Sequence, residues 1–267
     1  MSEMILEVNE LTKDFTLPNK EVLTACNQLT FTAEKGETLG IVGESGSGKS
    51  TLVNMLMLME EPTHGSIHFH GKNLLTLDRR EIWQLRPRIQ MVFQAPAASI
   101  NPKMKVIDVV TEPLFNYRRL EPQDKRKKAQ ELLAMVELSE EYLDRYAHHL
   151  SGGQCQRVSI ARALALNPEI LICDEATSAL DVSVQKSIID LLIKLQKKNN
   201  MTILFISHDL ALVQSFAHAI LVMQEGKIVD QLASDQSLSS SEVPYTQRLI
   251  KSVYSLAKVK QRLLTNG

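Results

Sequence analysis

Three stretches of this chain carry residue types that could hold and cut a phosphate chain. Gly43-Glu44-Ser45-Gly46-Ser47-Gly48-Lys49-Ser50 has the spacing G-x4-G-K-S. Glycines so placed let backbone N–H groups turn inward around phosphate oxygens, at the positive end of the helix that follows. Lys49 then reaches the β- and γ-phosphates and the Ser50 hydroxyl becomes a Mg²⁺ ligand, with Thr51 beside it in the same binding set. The run Ile170-Leu171-Ile172-Cys173 ends in Asp174 and Glu175. Acids often cap strands for purely structural reasons. Paired with the phosphate loop, however, Asp174 is placed to hold Mg²⁺, commonly through water, and Glu175 to polarise an attacking water. The third stretch, Leu150-Ser151-Gly152-Gly153-Gln154, offers a hydroxyl and free N–H groups at a helix N-terminus, which is an anion site. A single phosphate loop already encloses a triphosphate, so a second anion site needs an explanation.

These residues need elements to position them. Thr38-Leu39-Gly40-Ile41-Val42 is a nearly continuous apolar run, the pattern of a strand covered on both faces, and it feeds the phosphate loop and a helix from Lys49 to Met59. Ile5–Val8, Leu29–Thr32, Ile67–Phe69 and Ile89–Phe93 read as further strands, so the first ninety-odd residues are strands and turns around one helix. After Gln94 the character changes. Ala95-Pro96 and Asn101-Pro102 mark turns, and from Val106 to Tyr146 the pattern is helical and charged, with Ala129, Leu132, Leu133 and Val136 at helical spacing. The α/β pattern returns with helices over Gly153–Ala165 and Val184–Lys197, strands over Ile170–Cys173 and Thr202–Ile206, and a helix over Leu210–Ala217. Ile220–Met223 and Gly226–Val229 read as a closing hairpin. A Ser-rich linker at 237–241 leads to a helix from Tyr245 to Leu256. The expected division is a core over 1–235, with a helical insertion at about 95–150, and a linker plus helix over 236–267.

Composition narrows the class. The 267 residues are 44% hydrophobic, enough for a sizeable core, and 30 basic against 31 acidic residues give a net charge of -1. That balance gives no reason to invoke nucleic acid or an anionic membrane surface. No apolar stretch approaches the ~20 residues of a membrane-spanning helix, and Met1-Ser2-Glu3-Met4 opens no signal peptide. Cys26, Cys155 and Cys173 are odd in number and contain no Cys-x-x-Cys pair, which argues against a disulfide framework or a structural zinc site.

Leu150–Gln154, following the phosphate loop and preceding the paired acids, resembles the signature motif of ABC transporter ATPases. The fold that the resemblance implies is an α/β core, a P-loop NTPase of the ABC type with an inserted helical subdomain. In that family the signature closes over ATP held by the opposite subunit's phosphate loop. Further residues match in order. Gln94 resembles the glutamine that touches Mg²⁺ or water and links the site to membrane subunits. Ser178-Ala179-Leu180-Asp181 resembles the loop that runs along the dimer interface, with Asp181 in the nucleotide set. His208 resembles the switch histidine on the γ-phosphate. Phe15 falls where the family places an aromatic residue, more usually Tyr, to stack on adenine. Ser99-Ile100-Asn101-Pro102, the run SALDVSVQ over Ser178–Gln185, and Pro244-Tyr245-Thr246-Gln247 resemble the oligopeptide, dipeptide and nickel permease branch. Thr111-Glu112-Pro113-Leu114 resembles the second of two unlike ATPases. One departure is that some relatives carry tail cysteines for an iron–sulfur cluster, whereas no Cys follows Cys173.

The resemblance implies ATP and Mg²⁺ as ligands and a second ATPase subunit, unlike or identical. It also implies two permease subunits, a solute-binding protein met indirectly, and a peripheral place on the cytoplasmic face of the membrane. Soluble ABC proteins of DNA repair carry a long coiled coil between phosphate loop and signature, and no heptad run occurs here. Ribosome-acting members usually join two cassettes in one chain, and this chain has one. An exporter ATPase is disfavoured by the peptide-branch stretches. The pairs His68/His70 and His148/His149 read as satisfied or solvated, and Lys125–Lys128 as a solvated helix face.

Overall fold

A computed structural model of the chain describes residues 3–95, 99–117, 119–233 and 241–251. They form two compact units, one from the described residues of 1–76 and 204–267, the other from those of 77–203.

In the first unit, β1 (Met4–Thr16) and β2 (Val22–Glu34) make an antiparallel hairpin. Both strands run well beyond the short segments expected from alternation. Register breaks between Val8 and Leu11 and between Leu11 and Lys13 interrupt the period-2 pattern, which is why the sequence shows only pieces of each strand. β4 (His64–Phe69) pairs with the other side of β1, and β5 (Lys72–Asn73) completes a sheet ordered β2-β1-β4-β5. Ile5, Leu6, Val8, Leu29, Phe31, Ile67 and Phe69 are buried within it.

β3 (Thr38–Val42) is buried at all five positions, as its nearly continuous apolar run implies. It pairs in parallel with β9 (Ala219–Gln224), which pairs antiparallel with β10 (Lys227–Ala233), the closing hairpin expected from the sequence. On the other side of β3 lies β8 (Thr202–Ser207), which enters this unit at Leu204. β3 leads into α1 (Lys49–Leu56), whose Leu52, Val53, Met55 and Leu56 are buried. This helix stops short of Met59. Leu58 adopts φ +53 and its N–H turns back to the Met55 carbonyl, so the apolar run continues while the helix does not. A short helix, α7 (Leu210–Gln214), places Val213 over β3.

Gly40 shows how tight that packing is. A methyl group at Gly40 would come within 2.1 Å of Val213 Cγ1. Gly40→Ala should therefore destabilise the chain by about 1–3 kcal/mol through overpacking. Val213→Ala in the same chain should recover much of the loss. Thermal unfolding of the two single variants and the double variant checks this, and an additive double variant would remove the steric explanation.

The second unit contains α2 (Arg79–Leu85), β6 (Ile89–Val92), α3 (Val106–Asn116), α4 (Lys125–Met135), α5 (Gly152–Leu164), β7 (Ile170–Asp174) and α6 (Val182–Asn199). β6 and β7 are parallel, with Ile89 opposite Ile170 and Val92 opposite Cys173. α2 corrects the expectation of a single helix before Gln94. It buries only Leu85, so it shows no apolar periodicity, and it is set by a capping box between Asp78 and Glu81. The helical stretch 106–146 is divided into α3, α4 and short 3-10 turns, with Ala129, Leu132, Leu133 and Val136 buried. Lys125, Arg126 and Lys128 pair with Asp108, Asp144 and Glu131. Arg162 of α5 reaches Glu112 of α3 at 2.8 Å and the Ser99 carbonyl at 3.1 Å. Among the described residues, no helix is long and apolar enough to cross a membrane. Pro96, most of the Ser-rich stretch and the end of the expected C-terminal helix lie outside the described residues, while residues 244–251 are helical.

Candidate active site

The first unit holds Phe15, the loop Gly43–Gly48, Lys49, Ser50, Thr51 and His208. Gly46 and Gly48 take φ +82 and +100, conformations that side chains resist, so the loop can wind back on itself before α1. Gly43 and Gly48 are further fixed by space. A Cβ would meet the Met223 carbonyl oxygen at 2.3 Å in the first case and the Ala25 carbonyl oxygen at 2.4 Å in the second. Lys49 is 6% exposed and its ammonium curls inside the loop. It donates to the Gly43 carbonyl at 2.8 Å, the Glu44 carbonyl at 2.7 Å and Ser47 Oγ at 3.1 Å. Glu44, Ser45, Gly46 and Ser50 face outward, so the concave side carries a positive charge and the rim carries a hydroxyl at the helix start.

Phe15 is half-buried opposite Leu23, with Lys13 Nζ 5.0 Å from its ring centroid. Val22 and Leu23 beside it are exposed. The same hairpin passes the loop, where the Cys26 thiol lies 3.5 Å from the Gly48 carbonyl. The strand that carries Leu23 thus also passes the phosphate loop, and the apolar, partly open surface at Phe15 is of a kind that suits stacking on a base. His208 is exposed and follows the last residue of β8, the strand beside β3.

The second unit holds Gln94, Ser151–Gln154, Asp174, Glu175 and Asp181. Because β6 and β7 are neighbours, the residues just past their ends meet. Gln94 Nε2 donates to Glu175 Oε2 at 2.6 Å, which leaves the Gln94 carbonyl oxygen as the end able to face a cation. Glu175 itself takes φ +46, in the sparsely populated left-handed region. Its carbonyl accepts both the N–H and the hydroxyl of Ser178, each at 3.0 Å, which holds that turn in place. Asp174 sits at the end of β7, and its charge, after burial, helps to push the neighbouring Cys173 thiol up to about 12.

Ser151 is the N-cap of α5. Its hydroxyl accepts the Gln154 N–H at 3.3 Å, while Gln154 Oε1 accepts the Ser151 N–H at 2.9 Å. This reciprocal capping modifies the expectation of unengaged donors. The Ser151 and Gln154 N–H groups are taken by the helix's own cap, and the remaining first-turn donors are those of Gly152 and Gly153. Both glycines are close to the following segment, for a Cβ on Gly153 would meet Val184 Cγ1 at 2.7 Å. Asp181 caps α6, accepting from the Val184 N–H at 3.0 Å and the Ser183 hydroxyl at 2.7 Å. Those two bonds hold its carboxyl below the usual range. Two contacts here escaped the sequence reading. Tyr142 anchors Gln154 through its hydroxyl at 3.0 Å, and Tyr245 reaches the phosphate loop. No local pattern signals either contact. His68 and His148, set aside as satisfied, lie 3.5 Å from Ser66 Oγ and 2.7 Å from the Pro102 carbonyl.

Residues 26–178 match the family described as ABC transporter. The chain is 40% identical over 270 residues to an oligopeptide transport ATP-binding protein of Bacillus subtilis, spanning 98% of this chain and 88% of that protein. It is 39% identical over 255 residues to a dipeptide transport ATP-binding protein of Escherichia coli, spanning 94% and 76%. A solved dimeric ATP-binding cassette in a post-hydrolysis state with ADP and phosphate superposes with a TM-score of 0.78 at 31% identity, over 87% of this chain and 100% of that one. At these identities and over this span the chain belongs to the ABC transporter family, as one of its ATP-hydrolysing subunits built on the α/β phosphate-loop core.

Proposed function

We propose that this chain powers peptide import, as one of a pair of ATPases acting on membrane permeases at the cytoplasmic face. The observation that carries this reading is the 39–40% identity, over nearly the whole chain, to subunits named for oligopeptide and dipeptide transport. ATP binds with its base on Phe15 and its phosphates in the loop Gly43–Ser50, where Lys49 turns from the loop carbonyls toward the β- and γ-phosphates. Glu175 orients and polarises the attacking water, Gln94 holds that carboxylate and reports on it toward the permeases, and His208 contacts the γ-phosphate. Ser151, with Gly152 and Gly153, closes the nucleotide site of the facing subunit, and Asp181 lies along that contact.

The donors suit Mg²⁺. The Ser50 hydroxyl, the Asp174 carboxylate and the Gln94 amide oxygen would supply hard oxygen ligands, and the nucleotide the remainder. Among the described residues no cluster of three His, Cys, Asp or Glu forms an all-protein metal cage. That pattern matches an ion bound through one carboxylate and substrate phosphates. When bound, the ion neutralises charge developing on the phosphates.

The partner is a second ATPase, either an unlike one or a second copy of this chain, two permeases complete the complex, and a solute-binding protein delivers cargo to them. Gln94 and the helical insertion around 95–115 form the docking surface for the permeases. Uptake of a labelled short peptide into vesicles containing the permeases, both ATPases and the binding protein tests the whole reading. ATP-driven accumulation that stops when this chain is omitted is expected. Accumulation of nickel without peptide, or peptide uptake unaffected by the omission, would overturn the cargo assignment.

A further inference from the structure

The tail beyond β10 is pinned to the same unit as the phosphate loop by a buried polar cluster. One carboxylate oxygen of Asp230 on β10 accepts from the Ser241 hydroxyl at 2.5 Å and the Thr246 hydroxyl at 2.7 Å. Ser241 Oγ in turn accepts the Val243 N–H at 3.2 Å, and Gln247 Nε2 donates to the Ser241 carbonyl at 3.0 Å. Thr246 is fully buried and Ser241 nearly so, so this cluster fixes the start of the helical residues 244–251. Tyr245, between them in the chain, is 5% exposed. Its hydroxyl accepts the backbone N–H of Glu44 at 3.1 Å. Burial is the largest influence on that phenol and raises its pKa above the ordinary value, so at neutral pH the acceptor is a neutral hydroxyl.

The N–H concerned belongs to the peptide that joins Gly43 to Glu44, and the carbonyl of that same peptide is a ligand of the Lys49 ammonium at 2.8 Å. In a trans peptide the C=O and N–H point to opposite sides of the chain. Tyr245 therefore holds from outside the plane whose inner edge seats Lys49. A flip of this peptide would take the carbonyl off the ammonium and turn an N–H dipole toward it. The glycine is boxed as well, since the Met223 carbonyl leaves no room for a Cβ there. We infer that Tyr245 is a positioning residue of the nucleotide site, through which the tail holds the Gly43–Glu44 peptide in its phosphate-ready orientation. The motif Pro244-Tyr245-Thr246-Gln247 thereby acquires a physical task in the ATPase cycle. A tail displaced by a partner would release the peptide and weaken nucleotide binding.

The inference rests on Gly43–Ser50 being the phosphate cradle, and the experiment separates the two. Mg²⁺-ADP is titrated into the wild-type chain, Tyr245→Phe and Lys49→Ala by calorimetry, and kcat and KM for ATP are measured for the wild type and Tyr245→Phe. Tyr245→Phe keeps the ring in its pocket and removes only the acceptor. Loss of one net hydrogen bond should weaken ADP binding and raise KM about three- to tenfold, with kcat within about twofold. A tail that merely tethers the fold would lower the melting temperature of this variant and leave ADP affinity unchanged. Unchanged affinity in Tyr245→Phe together with lost affinity in Lys49→Ala overturns the inference and leaves the cradle standing. Unchanged affinity in Lys49→Ala overturns both. Should Tyr245→Phe fail to fold, amide hydrogen exchange of the nucleotide-free wild type decides. The Glu44 amide should exchange slowly for a loop residue with an outward side chain, and exchange at the rate of an unprotected amide overturns the inference.

Discussion

Glu175→Gln should keep ATP bound and stop its hydrolysis at this chain's own site. Glutamine has nearly the volume of glutamate, and its amide oxygen can still accept the bond that Gln94 gives at 2.6 Å. The turn after β7 is held by backbone contacts of Glu175 to Ser178, which the substitution leaves alone. What disappears is the negative charge and most of the basicity acting on the water. That role contributes roughly 10²–10⁴-fold to rate. Retained nucleotide should then act as glue between two subunits, giving a larger species on sizing columns with ATP and a smaller one with ADP. If the partner is an unlike ATPase, its own site continues to turn over, so occlusion at the Glu175 site is the quantity to follow. Wild-type hydrolysis at that site would remove Glu175 from the role of base.

Lys49→Ala should act one step earlier, at binding. The ammonium is 6% exposed and makes three contacts within the loop, to the Gly43 and Glu44 carbonyls and Ser47 Oγ. Alanine leaves those carbonyls without their cation and leaves the loop without the charge that meets the phosphates. Charge-assisted bonds are the strong ones, so nucleotide affinity should fall roughly ten- to a hundredfold or more, with hydrolysis lost at ordinary ATP concentrations. Calorimetric titration with ATP reads the first effect and phosphate release the second.

The parts of this molecule that the sequence reveals are those whose physics is local. The phosphate loop declares itself because glycines at fixed offsets are what its winding requires, and β3 because a strand covered on both faces is nearly all apolar, with Thr38 alone as a polar side chain. Where the decisive interaction is distant, the sequence is silent. Gln94 and Glu175 are 81 residues apart and meet only because β6 and β7 are neighbours. Tyr245 and Glu44 are 201 apart. Two misreadings have local causes instead. α2 buries a single residue, so its only signal was the Asp78–Glu81 cap, and α1 ends inside an apolar run because Leu58 turns left-handed without a glycine to announce it. The β1–β2 hairpin was half visible, since its bulges break the alternation that marks a strand.

The claim that this chain is one half of a paired motor meets its most direct test in mixing two inactive variants. Lys49→Ala lacks the phosphate-binding cation and Ser151→Ala lacks the hydroxyl offered to the facing site. In a symmetric pair of this chain, each alone spoils both composite sites. Mixed in equal amounts, half of the pairs combine one of each and regain one site with Lys49 from one subunit and Ser151 from the other. Phosphate release by the mixture should therefore rise from near zero to about a quarter of the wild-type rate, if the sites fire independently. No recovery from two folded variants that still pair, or wild-type activity in Ser151→Ala alone, would contradict a site completed by the facing subunit.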